Sequence, residues 1–342
     1  MTVVGVLTAG GDCPGLNAVI RGVVARSVEV HDAEVVGIRD GWEGLMTGRT
    51  MPLDRDSVRG ILGKGGTILG TSRMDPFVHG QGLESCLPTI KRNGIDTLVV
   101  IGGDGTLRSA MGLAEEGLKV IGVPKTIDND IAGTDVTFGY ATAVQIATDA
   151  IDRLATTAEA HNRVMVVEVM GRTKGWIAVG AGIAGGADGI LIPEFPYDID
   201  DVAETVRRRH RRGQRYSIIV VAEGIPPPQG QPPIEHRKDA FGFDRLGGVA
   251  YRVAEALEDR TGFETRVTVL GHTQRGGTPI ASDRVLATRL GAGAADLAAE
   301  GLTHVMVALR STEIVPVPLE AATASVRGVP LELYETAQTF FG

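Results

Sequence analysis

Thr97-Leu98-Val99-Val100-Ile101-Gly102-Gly103-Asp104-Gly105-Thr106 and Val120-Ile121-Gly122-Val123-Pro124-Lys125-Thr126-Ile127-Asp128-Asn129-Asp130 are the stretches whose reading decides the fold. Each opens as an apolar run of strand length and turns abruptly into polar residues. Residues 107–117 between them have helical character, so the unit reads strand, loop, helix, strand, loop. A parallel sheet built this way delivers both loops side by side at the carboxyl ends of their strands, where α/β folds bind ligands.

The first loop carries three glycines, Gly102, Gly103 and Gly105. A backbone that closes on a phosphate has no room for side chains, and the amides opening the next helix then face the anion. Asp104 is placed to hold a magnesium ion on such phosphates. The second loop offers Asp128, Asp130 and the Thr126 hydroxyl. One carboxylate can take a proton from an attacking hydroxyl while the other attends to the metal, which is the equipment for phosphoryl transfer to an alcohol. The plain alternative is a glycine turn followed by a solvated turn. A Gly-Gly-Asp-Gly-Thr run occurs in several kinase families, so the second loop is the more specific, and a solvated turn would not need so apolar a strand feeding it.

At 342 residues the chain suits two domains, and 47 glycines with only 4% aromatics suit an α/β enzyme whose backbone touches ligands. The net charge of −8 disfavours nucleic acid or an anionic membrane as partner. Cys13 and Cys86 are too few for a disulfide framework or zinc site. Thr2-Val3-Val4-Gly5-Val6-Leu7 is too short and lacks the basic start of a signal peptide. No segment has the length of a membrane span. The expectation is a soluble, cytoplasmic protein.

Elsewhere, 3–7 reads as a first buried strand leading into Gly10-Gly11-Asp12-Cys13-Pro14-Gly15 and a helix from Leu16. Residues 34–38 give a second strand, before Trp42, whose plain reading is core. Lys64-Gly65-Gly66-Thr67 begins a glycine-rich return ending at Arg73. A long helix is expected over 142–157, then a strand over 163–170 ending at Gly171-Arg172. The glycines of 180–189 suit helix–sheet packing, and 190–193 reads as a strand. A helix opens at Asp200-Asp201 and closes in Arg207-Arg208-Arg209-His210-Arg211-Arg212, with charges matched to its dipole. That basic run reads as a solvated helix face rather than a nucleic-acid site. A strand over 216–222 delivers Glu223, 225–239 reads as a proline-rich surface linker, and the tail from 301 as a strand with small helices.

Pro124 to Asp130, with Gly10-Gly11-Asp12, Met170-Gly171-Arg172 and Gly271-His272-Thr273-Gln274-Arg275-Gly276-Gly277, resembles the 6-phosphofructokinases, in family order and across nearly the whole chain. The resemblance implies two similar three-layer α/β/α domains with mostly parallel sheets and the active site in the cleft between them. It implies a nucleotide-binding domain of 1–139 plus about 274–324, and a sugar-phosphate domain of 140–273 plus about 325–342. The implied reaction moves the ATP γ-phosphoryl to the 1-hydroxyl of fructose 6-phosphate, with Mg2+. Asp128 is the implied base, with Thr126, Lys125 and Arg172 around the transferring group and Asp104 and Asp130 on the metal. Gly11, Trp42, Arg73, Met74, Gly103, Asp104, Gly105 and Thr106 match nucleotide positions. Thr126, Ile127, Asp128, Met170, Gly171, Arg172 and Glu223 match sugar positions, and Arg163, Arg266, His272, Thr273, Gln274 and Arg275 the sugar-phosphate site. Family members bring the residues matching Arg163 and Arg266 from a neighbouring subunit, which implies a homo-oligomer, typically a tetramer.

Two positions depart from the ATP-using bacterial pattern. Ser109 stands where a glycine lies against the adenine, and Lys174 follows Arg172 without an assignable role. The donor marks are mixed as well. In the family, pyrophosphate users tend to carry aspartate at the position of Gly105 and lysine at that of Lys125, while ATP users carry glycine at both. Other readings are a pyrophosphate-dependent enzyme, a lipid or dinucleotide kinase, and a regulatory subunit without chemistry. The second lacks the Lys-Thr-Ile-Asp-Asn-Asp run. The third should have lost Asp104, Asp128 or Asp130, and all three are present.

Overall fold

Runs of β-branched residues without polar interruption make strands that must be covered on both faces, and helices pack on either side of such a sheet. The computed structural model describes residues 2–233 and 246–342. Its strands in chain order are β1 (Val3–Thr8), β2 (Glu34–Ile38), β3 (Thr50–Leu53), β4 (Thr97–Gly102), β5 (Val120–Thr126) and β6 (Phe138–Gly139). They continue as β7 (Val164–Val169), β8 (Gly189–Leu191), β9 (Ser217–Ala222), β10 (Thr265–Val269), β11 (Val305–Arg310) and β12 (Glu313–Pro318). The chain divides into two compact units, Met1–Thr142 with Arg275–Arg327, and Ala143–Gln274 with Gly328–Gly342.

The first unit holds an eight-stranded sheet in the order β12-β11-β5-β4-β1-β2-β3, with β6 beside β5. β1, β2, β4, β5 and β11 pair in parallel, while β3 and β12 are antiparallel edges. Sequence analysis does not anticipate β3, and it reads one strand where β11 and β12 stand. Both edges carry proline, Pro52 in β3 and Pro316 and Pro318 in β12. An edge strand tolerates a missing N–H that a central strand would not, and proline there blocks further pairing. Thr8 lies opposite Ile101, and Gly102 opposite Pro124, so the loops after β1, β4 and β5 leave from one edge.

The helix expected over 107–117 runs Asp104–Glu115. Gly103 is still extended, and the Leu107 amide bonds the Gly103 carbonyl at 2.9 Å. The first turn therefore consists of Asp104, Gly105 and Thr106, with their amides at the helix start. A helix unforeseen from sequence, Ala281–Ala299, lies against Leu16–His31. A Cβ on Gly22 would stand 2.7 Å from the Thr288 carbonyl, and one on Gly291 2.4 Å from that of Val19. These two glycines serve backbone contact between helices.

The second unit holds the four-stranded parallel sheet β10-β7-β9-β8. A Cβ on Gly182 would meet Ile190 at 2.5 Å, which is the close helix–sheet packing expected of that glycine cluster. The basic helix is Ile199–Arg211, started by Asp198, whose side chain accepts from the Asp200 amide at 2.8 Å. Arg209 turns inward to Asp188 at 2.9 Å, while Arg207 and Arg211 pair with Glu204 on the surface. The linker expected at 225–239 is described only to residue 233; the rest lies outside the described residues. Among the described residues, no helix is long and apolar enough to cross a membrane.

Glu168, on the central strand β7, is 2% exposed, and its carboxylate accepts the Gly248 amide at 2.9 and 3.0 Å and the Ala250 amide at 2.9 Å. It thereby caps the helix Val249–Thr261 with a charge that favours the helix start. Glu168→Gln, which aims an NH2 at amides needing an acceptor, is expected to cost about 1.5–3 kcal/mol of stability by urea denaturation. An unchanged midpoint would show the cap to be dispensable.

Candidate active site

Three parallel strands supply the first group of functional residues. After β1, Gly10 adopts φ 83°. Its amide bonds the Ser72 carbonyl at 2.9 Å, and its carbonyl accepts from the Thr71 hydroxyl at 2.7 Å. The Thr8 hydroxyl donates to the Gly70 carbonyl at 2.7 Å. The 70–73 return is thus stitched along the β1 loop, which brings exposed Arg73 and half-buried Met74 to the same edge. After β4 come Gly103 and the helix start with Asp104. Gly105 is the exposed residue of the first turn, and a Cβ added there would meet nothing within 4 Å.

Lys125, near the end of β5, is 3% exposed, and its Nζ donates to the Gly11 carbonyl. A Cβ on Gly10 would stand 3.6 Å from this Nζ and 3.2 Å from the Thr106 hydroxyl, and one on Gly11 2.7 Å from the Arg275 guanidinium. Lys125, Thr106 and Arg275 therefore converge on Gly10 and Gly11. Burial pulls the Lys125 ammonium below its ordinary value, with Arg275 adding to the fall and Asp128 and Asp12 opposing it. Burial also pushes the Cys13 thiol far up, so that thiol stays neutral. Trp42 is a correction to the nucleotide set: it is 1% exposed in the core with Leu7, Ile38 and Leu45, with no surface to offer a ligand.

The loop after β5 is tightly tied. The Asp128 amide donates to the Thr126 hydroxyl at 3.0 Å, and the Thr137 hydroxyl donates to the Thr126 carbonyl at 2.8 Å. Ile127, 3% exposed, anchors the loop from below. Asn129 takes φ 52°, and its side-chain oxygen accepts the Thr137 amide at 3.0 Å. Asp128 is half-buried and Asp130 is 8% exposed. Asp104 pairs with Arg108 at 3.0 Å. Among the described residues no three His, Cys, Asp or Glu side chains form a metal cluster. Asp104 and Asp130 offer the hard oxygen donors that magnesium takes, an ion that keeps waters and uses phosphate oxygens as further ligands.

Ser109, 5% exposed, donates to Asp75 at 2.7 Å and to the Gly105 carbonyl at 3.1 Å. The same Asp75 caps Pro76–His79, and the Phe77 ring lies where a Cβ on Gly112 would come within 2.7 Å. The departure at Ser109 thus fastens the 75–79 segment onto the helix Asp104–Glu115.

The second unit gathers its own set. Met170-Gly171-Arg172 follows β7, with Gly171 at φ 141° and Arg172 at φ 54°. The Arg172 amide donates to Glu223 at 3.0 Å, and a Cβ on Gly224 would collide with the Arg172 carbonyl at 1.9 Å. A non-glycine residue held at positive φ is the backbone signature of a site whose surroundings over-determine it. Glu194 accepts the amides of Gly175, at 3.1 and 3.0 Å, and of Val329, at 3.1 Å. Lys174 runs past Gly328, where a Cβ would be 3.7 Å from its Nζ, which gives this lysine a place against the returning chain.

Arg163 and Arg266 are brought together by a residue that sequence reasoning missed. Glu264 pairs with Arg163 at 2.9 Å and with Arg266 through its other oxygen. The Arg163 contact, with both positive charges nearby, holds the Glu264 carboxyl below its usual range. The signal was present, since Glu264 and Arg266 two apart on an extended chain share a face. His272 and Thr273 are exposed on the short helix Gly271–Arg275, while Gln274 is fully buried. Arg275, which the resemblance places in the same set, packs against Gly11 within the first unit.

The family described as Phosphofructokinase matches residues 3–298. A pyrophosphate–fructose 6-phosphate 1-phosphotransferase of Amycolatopsis methanolica is 56% identical over 340 residues, covering 99% of each chain. An ATP-dependent 6-phosphofructokinase 3 of Streptomyces coelicolor is 51% identical over 336 residues, covering 98% of each. Among solved structures, Pichia pastoris phosphofructokinase in the T-state superposes with a TM-score of 0.84 at 33% identity, over 99% of this chain and 36% of that longer one. The motifs, the loops they form and these likenesses agree that the chain belongs to the phosphofructokinase family.

Proposed function

We propose that this chain is an ATP-dependent 6-phosphofructokinase that converts fructose 6-phosphate to fructose 1,6-bisphosphate. The observation that carries the donor is the open space at Gly105, on the first turn of a helix whose amides favour phosphate. An aspartate there would set a carboxylate against the nucleotide phosphates. In this reading the first unit binds the donor and the second the sugar phosphate. Asp128 removes the proton from the sugar 1-hydroxyl, whose oxygen forms the new bond to the γ-phosphorus. The bond to the bridging oxygen breaks, and ADP leaves with its electron pair. Asp104 and Asp130 would hold Mg2+, which neutralises phosphate charge when bound. Lys125 and Arg172 stabilise charge on the transferring group.

Arg163 and Arg266, with His272, recognise the 6-phosphate, and a neighbouring copy in a homo-oligomer receives the two arginines. Glu264 holds them until a phosphate dianion displaces it. Exposed pairs of this kind are worth only about 0–1 kcal/mol, so the exchange is cheap.

A pyrophosphate donor is the second reading. It is favoured by Lys125, by the pyrophosphate-named relative at 56% identity, and by the Ser109–Asp75 contact that occupies part of the face where a base would stack. The purified protein, assayed with ATP and pyrophosphate at equal concentrations, decides. Faster turnover with ATP is expected, together with loss of ATP use in Gly105→Asp; faster turnover with pyrophosphate in the unaltered protein would overturn the donor assignment.

Asp128→Asn is expected to lower kcat by about 10²–10⁴ while fructose 6-phosphate binding changes little. Near-normal turnover would remove Asp128 from the chemistry. Because burial lowers the Lys125 value, its ammonium sheds its proton earlier than an ordinary lysine as pH rises. The alkaline fall of kcat/KM for the donor should therefore begin below the ordinary lysine range and be absent in Lys125→Gly. An unchanged alkaline limb in that variant would assign it to another group.

A further inference from the structure

Asp128 and Asp130 sit in a loop without regular structure, and the carbonyls around them cannot find partners in a ladder. One residue nearly 200 positions away supplies those partners. Arg327 donates Nε to the Asn129 carbonyl at 3.3 Å and an Nη to the same oxygen at 3.1 Å. Its other Nη donates to the Asp135 carbonyl at 2.7 Å, and its own amide donates to the Asp130 carbonyl at 2.7 Å. Val326 beside it bridges to Ile131. All these contacts lie within the first unit.

From this geometry we infer that Arg327 is a positioning residue for the Asp128 carboxylate. It grips the carbonyls that follow Asp128, at a point where Asn129 holds φ 52° and the chain reverses. The planar fork reaches Asn129 and Asp135 together, closing both ends of the segment on one rigid group. A lysine is a single point donor on a flexible stem and cannot span both acceptors. Without the fork, the loop keeps its Thr126 and Thr137 bonds and the main-chain contacts of residues 326 and 327, but loses the clamp that joins the Asn129 and Asp135 carbonyls. The carboxylate then wanders from the line of proton transfer, where a misplacement of about 1 Å costs about 10²-fold in rate.

This inference rests on Asp128 being the base, and its test separates the two. Arg327→Lys and Arg327→Gln are compared with Asp128→Asn and with the double variants, using fructose 6-phosphate and the better donor. Expected for the Arg327 variants is a fall in kcat of about 10–100-fold with KM for the sugar phosphate changed by less than about threefold. In the Asp128→Asn background, the same substitutions should cost less than about threefold, because a group acting through Asp128 has nothing left to position. Full additivity of the two losses, or unchanged kcat in an Arg327 variant that melts like the parent, would overturn the role of Arg327. Near-normal turnover of Asp128→Asn alone would instead overturn the base assignment. If Arg327→Lys folds poorly, Arg327→Gln, which keeps an amide donor for Asn129, carries the comparison.

Discussion

The ammonium of Lys125 is buried away from water, and the carbonyl of Gly11 is what it finds. That one contact spans from β5 across β4 to the loop after β1, two strand spacings or about 10 Å. It runs close past Gly10, where a Cβ would stand 3.6 Å from the ammonium. It requires β4 to end in glycine, so that the helix start beneath carries amides rather than bulk. It also requires the register that puts Gly102 opposite Pro124. The loops after β1, β4 and β5 are thus one device, cross-linked by a buried cation whose hydration has been replaced by protein dipoles.

The second unit is organised by carboxylates that hold cations and backbone amides. Glu264 spans Arg163 and Arg266. Glu223 accepts the amide of Arg172, which sits at positive φ, and Glu194 fixes Gly175 and Val329. Exposed pairs such as Glu264's give way easily, whereas amide contacts near buried backbone do not. The distinction separates groups that must exchange partners from groups that must stay still.

What was legible in the sequence follows from the range of the interactions. β1, β2, β4, β7 and β9 could be read because their apolar runs are local and buried on both faces, and the loop motifs because glycine and acid follow them directly. The start at Asp104 was misread since Asp-Gly-Thr resembles a turn, although the Gly103 carbonyl already closes the first helical bond. The helix Ala281–Ala299 was overlooked because alanine and glycine spread around it leave no clear stripe, and its partner is Leu16–His31 far away in sequence. β3 and β12 hid behind their prolines. Glu194 and Arg327 had no local signal, since each acts on a segment that only the tertiary fold brings near, and the same fold sets Arg275 against Gly11.

The first unit is discontinuous, Met1–Thr142 completed by Arg275–Arg327, and this has a consequence for synthesis. When a ribosome has made β5, the neighbour strand β11 and the helix that will cover Leu16–His31 do not yet exist. At ordinary elongation rates the gap lasts roughly 10–40 s. Through that interval the nascent chain exposes an unpaired parallel edge and a bare helix face, while the sheet of the second unit emerges. The earliest-made half therefore waits longest for its completing segment, and in the cell the waiting β5 edge is where a chaperone would have to stand guard.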